Sequence, residues 1–280
     1  LQAQPPVYHN GKLFIQTLGY YDKEKSSLRA YNTSGELIFQ TVVSDSFSNV
    51  GAPIVDSGVI YAETGQGSIE SYSETTGERL ASYKAFDQYY NPSSPALLNN
   101  WLISYSNGKL HIFDRDTTSE VASIADPNYS WPGYEVIPII TDDHSVVIYS
   151  DSHLKKINLL TQQIDFDIPN TSGKLAVDDK YIYTIKNQRL TAIDKMTGKA
   201  QWVAYGTVFE NTIESLIVTN NLVFVSDFYG TSAISKNADH MKLWRTEVHG
   251  QISLSGKGLF IVSHSGSLTA FKFNETELSS

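Results

Sequence analysis

Seven histidines (His9, His111, His144, His153, His240, His249 and His264) and 30 acidic side chains are the raw material for metal or acid–base chemistry here. A metal centre needs three or four such ligands to converge, and a local one shows itself as an HxH or HExxH spacing. Neither spacing occurs in the chain. The densest cluster, Asp142-Asp143-His144, falls where corresponding segments carry Asp178-Asp179 or Asn99-Asn100, so turn chemistry accounts for it. Serine is abundant, yet no G-x-S-x-G elbow is present to strain one into a nucleophile. Asp22, Glu24, Asp87, Asp126, Glu135, Glu210 and Asp227 fall in expected loops and could pair for glycoside hydrolysis. Solvated surface charge is the plainer reading of the same residues. With no cysteine, disulfides, thiolate metal sites and thiol nucleophiles are all excluded.

Aromatic residues are the other notable resource, with 17 Tyr, 12 Phe and 4 Trp. Many fall in LGYYDKEKSS (18–27), KAFDQYYNPSSP (84–95), ADPNYSWPGYEV (125–136), AYGTVFENTIE (204–214) and DFYGTS (227–232), where no strand pairing demands them. Tyr and Trp offer large contact area at low conformational cost. We therefore expect a protein-binding face built on Tyr89, Tyr90, Tyr129, Trp131, Tyr134, Phe228 and Tyr229. The competing reading packs the same rings over neighbouring elements. The net charge of -9, with no run of Lys or Arg beyond Lys155-Lys156, argues against nucleic acid. No stretch approaches the ~20 apolar residues of a membrane helix.

The elements that must position these loops repeat. Short alternating segments recur at 28–31 (LRAY), 69–72 (IESY), 110–113 (LHIF), 154–157 (LKKI), 190–193 (LTAI), 231–234 (TSAI) and 268–271 (LTAF), at intervals of 36 to 44 residues. Each follows a dense β-run such as WLISYS (101–106), and each run is introduced by an Asn, Asp or Gly cluster suited to a hairpin turn. A second turn, as in Thr76-Gly77 or Thr197-Gly198, leads to a further strand. The tile is thus four antiparallel strands, and no segment shows helical periodicity. Such a sheet cannot cover both its faces, so copies must stack. The expected fold is all-β, a seven-bladed β-propeller of four-stranded antiparallel blades, with residues 1–280 as one domain and the seven anchors as third strands. After LTAF little chain is left for a last outer strand, so the N-terminal LQAQPP is expected to pair there.

The segment LTAIDKMTGKAQW (190–202), with its Asp, Thr-Gly-Lys and Trp, resembles the repeat of pyrroloquinoline-quinone-type propellers. IESYSETTGERLASY (69–83) is similar, and LHIFDRDTTSEVASI and LKKINLLTQQIDFDI are degraded copies. The resemblance implies fold more than chemistry. Its enzymatic branch holds a quinone and calcium in eight blades, often against an adjacent-cysteine disulfide; seven repeats and no Cys depart from that pattern. The other branch consists of exported, non-catalytic scaffolds, such as the propeller lipoprotein of the outer-membrane barrel-assembly machinery. The resulting expectation is a non-catalytic interaction scaffold with a protein partner, no cofactor and no metal. It would be periplasmic or otherwise exported, lipid-anchored in a longer precursor, and part of an envelope complex. The alternative is an enzyme using the central channel, for quinone-dependent oxidation or for hydrolysis or lysis of a sugar.

Overall fold

The computed structural model describes residues 6–17, 25–44, 52–64, 68–84, 94–130, 136–209, 212–237, 239–255, 258–263 and 265–273. The first sheet contains β1 (Val7–His9), β2 (Lys12–Thr17), β3 (Ser26–Asn32) and β4 (Leu37–Ser44). The second contains β5 (Ile54–Asp56), β6 (Val59–Glu63), β7 (Ser68–Ser73) and β8 (Arg79–Lys84); the third β9 (Ala96–Leu98), β10 (Trp101–Ser106), β11 (Lys109–Asp114) and β12 (Glu120–Ala125). The fourth is built from β13 (Ile139–Asp142), β14 (Ser145–Ser150), β15 (His153–Asn158) and β16 (Gln163–Pro169). Then come β17 (Thr171–Val177), β18 (Tyr181–Lys186), β19 (Arg189–Asp194) and β20 (Ala200–Val203) in the fifth. The sixth has β21 (Ile213–Val218), β22 (Leu222–Asp227), β23 (Gly230–Ser235) and β24 (Lys242–Thr246), and the seventh β25 (Gln251–Ser255), β26 (Gly258–Val262) and β27 (Leu268–Lys272).

Every sheet runs in chain order, and the seventh has three strands among the described residues. Each of the seven sequence anchors lies on the third strand of its sheet. This is the seven-bladed β-propeller fold class. The pairing expected for LQAQPP lies outside the described residues, apart from Pro6.

By backbone proximity the chain falls into two compact units, residues 1–151 with 156–165, and residues 152–155 with 166–280. In the first unit, Phe14, Leu28, Ile60 and Tyr72 fill the space between the first two sheets, and Tyr61, Ile69, Leu102 and Phe113 that between the next two. In the second, Tyr183, Leu190, Val223 and Ile234 form one core, and Phe224, Ala233, Leu259 and Ile261 another. Inner strands are therefore covered on both faces: β23 is buried along its whole length, while the outer β16 alternates exposed and half-buried residues.

The family box is explained by its contacts. Asp114 Oδ1 accepts the Thr117 amide at 2.7 Å and its hydroxyl at 2.9 Å, and Asp194 Oδ1 takes the same two donors from Thr197 at 2.8 and 2.9 Å. Asn32 and Asn158 cap the equivalent turns through their side-chain oxygens, and Ser73 through its hydroxyl. These bonds hold Asp114, chiefly through the Thr117 amide, and Asp194, chiefly through the Thr197 hydroxyl, below the usual carboxylate range. The glycine that follows adopts positive φ (+69° at Gly198) and receives the aromatic side chain of the preceding sheet. A Cβ on Gly198 would sit 2.7 Å from the Phe166 ring, and Gly77 is covered by Phe39 in the same way. Trp202 continues the series by stacking on His240 of the next sheet, at 4.2 Å and 5°. LTAIDKMTGKAQW is therefore one half of a joint on each side.

Charged straps also join neighbouring sheets. Arg115 reaches back one sheet to Asp56 (2.7 Å) and to the Tyr61 hydroxyl (2.8 Å), and Lys236 reaches back to Asp178 (2.7 Å) while also bonding the Thr219 carbonyl of its own sheet (2.8 Å). At the same tile position Glu74 meets His9 and Lys12 of the first sheet. Burial pushes the Asp178 carboxyl up, but hydrogen bonds from Lys236, Tyr183 and the Tyr181 and Lys180 amides outweigh it and hold the pKa down at about 2.

Replacing Trp202 with Ala should destabilise the chain by ~2–3 kcal/mol, since a half-buried indole and its stacking contact are lost. Chemical denaturation would measure this, and partner binding by the folded fraction should be unchanged. Asp178 is expected to contribute stability that is complete above the unfolded carboxylate pKa of about 3.9 and is lost as pH falls through its folded value. In urea unfolding, the gap between wild type and Asp178→Asn should narrow by ~2 kcal/mol between about pH 5 and pH 2. A gap that stays constant would show that the strap acts only through packing.

Candidate interaction face

The chemistry-bearing residues separate once placed. Asp126 is buried as the acceptor of the Tyr105 hydroxyl (2.8 Å), the Ser150 hydroxyl (2.5 Å) and the Asn128 amide (3.1 Å). Asp227 is buried too, its Oδ1 accepting the Tyr229 amide at 3.0 Å. Asp22, Glu24, Asp87, Glu135 and Glu210 lie outside the described residues. Asp142 Oδ1 accepts the His144 amide at 3.0 Å, the turn role expected of that cluster. Four other histidines bond a carboxylate through Nδ1: His9 with Glu74, His111 with Glu120, His153 with Asp167 and His249 with Glu214. No three metal-ligating side chains gather among the described residues. Lys155-Lys156 is buried, with Lys156 paired to Asp142 at 3.0 Å.

Of the aromatic face, Tyr89, Tyr90, Trp131 and Tyr134 lie outside the described residues. Tyr129 lays its ring over Gly108 in the β10–β11 turn, where an added Cβ would come within 2.5 Å of it. The turn is a two-residue hairpin with both φ values positive, 48° at Asn107 and 72° at Gly108. Phe209, grouped by sequence with the loop aromatics, is buried in the core with Ala204, while Tyr205 between them is 75% exposed. The connection is anchored by Ala204, Thr207 and Phe209, with Tyr205 and Val208 turned outward.

Phe228 and Tyr229 stand together. DFYGTS reads in the sequence as a loop, but Asp227 ends β22 and Gly230 begins β23, so only these two residues form the turn. Their rings meet at 5.7 Å and 86°, and they are 64% and 56% exposed. Arg245 Nη2 donates to the Tyr229 carbonyl at 3.2 Å and ties the tip to the outer strand β24. Gly230, at φ +149°, lies so close to the Thr246 carbonyl that no Cβ fits. Beside the tip, the His249 ring is 5.5 Å from Phe228, and its Nδ1–H donates to the Glu214 carboxylate at 3.0 Å. Phe228, Tyr229, Arg245, Thr246, Glu247 and His249 line an open recess of about 670 Å³. Two perpendicular rings, a guanidinium, a carboxylate and an oriented imidazole stand side by side there. Arg245, Glu247 and His249 carry no local sequence signal; only the juxtaposition of the β22–β23 turn with the strand after it brings them there.

Fold and tile define the class first: this is a β-propeller of pyrroloquinoline-quinone-type repeats. The chain belongs to the family described as outer membrane protein assembly factor BamB, whose model matches residues 1–204. Among solved structures it is similar to BamB from Moraxella catarrhalis, with 15% identity, 94% of this chain and 82% of that one covered, and a TM-score of 0.72. The WD40 β-propeller domain of Doa1 matches at 13% identity, with 94% and 90% covered and a TM-score of 0.65. The computationally designed protein Ika8 matches at 12% identity, with 96% and 95% covered and a TM-score of 0.61. No curated protein matches the chain.

Proposed function

We propose that this chain is a non-catalytic protein-interaction scaffold of the bacterial envelope, acting in outer-membrane assembly as its family's description indicates. The observation that carries the reading is the Phe228-Tyr229 tip: two large aromatic side chains held out in solvent on a hairpin fixed by Arg245 and Gly230. A tip that is already ordered loses little freedom on binding, so a few side chains can supply most of the affinity. Tyr89, Tyr90, Tyr129, Trp131 and Tyr134 are further partner-binding residues in this proposal, and residues 1–280 act as one propeller domain. The compartment is the periplasm, with a lipid anchor in the full-length precursor. No helix among the described residues is long and apolar enough to cross a membrane.

Capture from a native envelope fraction would identify the partner, and its affinity for the pure chain can then be measured by calorimetry. Phe228→Ala with Tyr229→Ala, and separately Trp131→Ala, should each weaken binding about 30-fold while shifting the melting temperature little. Because the chain is acidic, moderate salt should slow association with a basic partner. Unaltered affinity in both variants, or tight stoichiometric quinone binding followed by absorbance with added calcium, would overturn the reading.

A further inference from the structure

The outer strands of the sheets differ in how they protect their free edges. An edge strand exposes unpaired backbone donors and acceptors, and proteins blunt it with charges, proline or brevity. β8 carries Arg79 and Lys84 at its ends, and β12 begins with Glu120. β16 places Asp165 and Asp167 on its exposed face and ends in Pro169, β20 has only 4 residues, and β24 carries Lys242 and Arg245. β4, Leu37–Ser44, has none of these. It is the longest outer strand among the described residues, at 8 residues, and its sequence LIFQTVVS holds no charge and no proline. Leu37, Ile38 and Val42 are 52%, 41% and 50% exposed, and Gln40 is exposed between them. The opposite face is spoken for, with Phe39 over Gly77, the Thr41 hydroxyl on the Gly77 carbonyl at 2.7 Å, and Val43 in the core.

We infer that the open edge of β4 is a homodimer interface, where a second copy of this chain adds its own β4 antiparallel across a two-fold axis. The strand is self-complementary in the register centred on Gln40. That register sets Ile38 against Val42 twice and Gln40 against Gln40, apolar against apolar and amide against amide, all on the exposed face. It also suits the charge balance. Each copy carries a net charge of -9, and an uncharged strand lets two of them meet without like charges directly opposed. β4 carries two bulges: the one at Ile38 belongs to the tile, since the second, third, fifth and sixth sheets shift register at the same place, and the one at Val43 lies beyond the Ile38–Val42 segment that this register uses. This inference is independent of the partner proposed above, because β4 and the Phe228-Tyr229 recess lie on different sheets.

Sedimentation of the 280-residue chain at about 100 µM should show a dimer. Val42→Lys puts a charge on an exposed position and should raise the dimer dissociation constant at least ~30-fold with an unchanged melting temperature. Because the chain has no cysteine, Gln40→Cys introduces one thiol, which the two-fold places opposite its copy. Under mild oxidation it should form a disulfide-linked dimer much faster than Ser123→Cys, at the corresponding position of β12. A wild-type monomer overturns the inference, whether or not the edge captures a strand of another protein. Dimerisation that survives Val42→Lys, or equal cross-linking rates for the two cysteine variants, also overturns it.

Discussion

A four-stranded sheet of this composition has two apolar faces and nothing of its own to cover either, so each sheet depends on the joint it makes with its neighbour. In this chain the joint has a specific form: an aromatic on one outer strand lies on the turn glycine of the next sheet, as Phe39 on Gly77 and Phe166 on Gly198. Two demands meet at that glycine. The hairpin needs positive φ there, and the incoming ring leaves no room for a Cβ. A sequence box that looks like a motif for chemistry is thereby tied to packing between sheets. The straps from Arg115 to Asp56 and from Lys236 to Asp178 tie other neighbouring sheets together by charge, the second and third and the fifth and sixth.

The repeat was legible because this joint imposes the same residue types at the same spacing in successive tiles. The anchors mark third strands, and Asp194, Thr197, Gly198 and Trp202 have the structural roles their positions implied. What the sequence could not convey was direction. Phe209 and Tyr205 lie in one connection with similar neighbours, and only the backbone path sends the first inward and the second out. DFYGTS was read as a loop, yet its turn is Phe228-Tyr229 alone. Asn107-Gly108, Asp151-Ser152 and Asn187-Gln188, also between second and third strands, are two-residue turns with positive φ at both positions. Asp, Ser and Gln are weaker signals for that geometry than Asn-Gly.

The histidines show the same limit from another side. Read singly they were scattered, and their partners lie 9 to 65 residues away in sequence. Cross-strand and cross-sheet register brings four of the imidazoles to carboxylates, and register is not visible in residue spacing alone. The pairing consumes acidic groups that might otherwise have been taken for acid–base machinery, as Asp126 is consumed by Tyr105 and Ser150. His249 with Glu214 differs in setting, because its pair stands beside exposed rings instead of within a joint.

Exposed apolar surface is therefore the informative departure from the tile. Repetition explains the outward residue before each joint aromatic, which is apolar at Ile38 and Leu243 and charged at Asp165. It does not explain Phe228-Tyr229, where other sheets turn with Asn-Gly or Asp-Ser, nor an outer strand as long and uncharged as β4. A hairpin tip needs small or polar residues for its backbone, and two large rings there worsen solubility without improving the turn. An unguarded edge does the same for association. Both features oppose what the fold alone favours, and surfaces of that kind are most economically understood as places where something else binds.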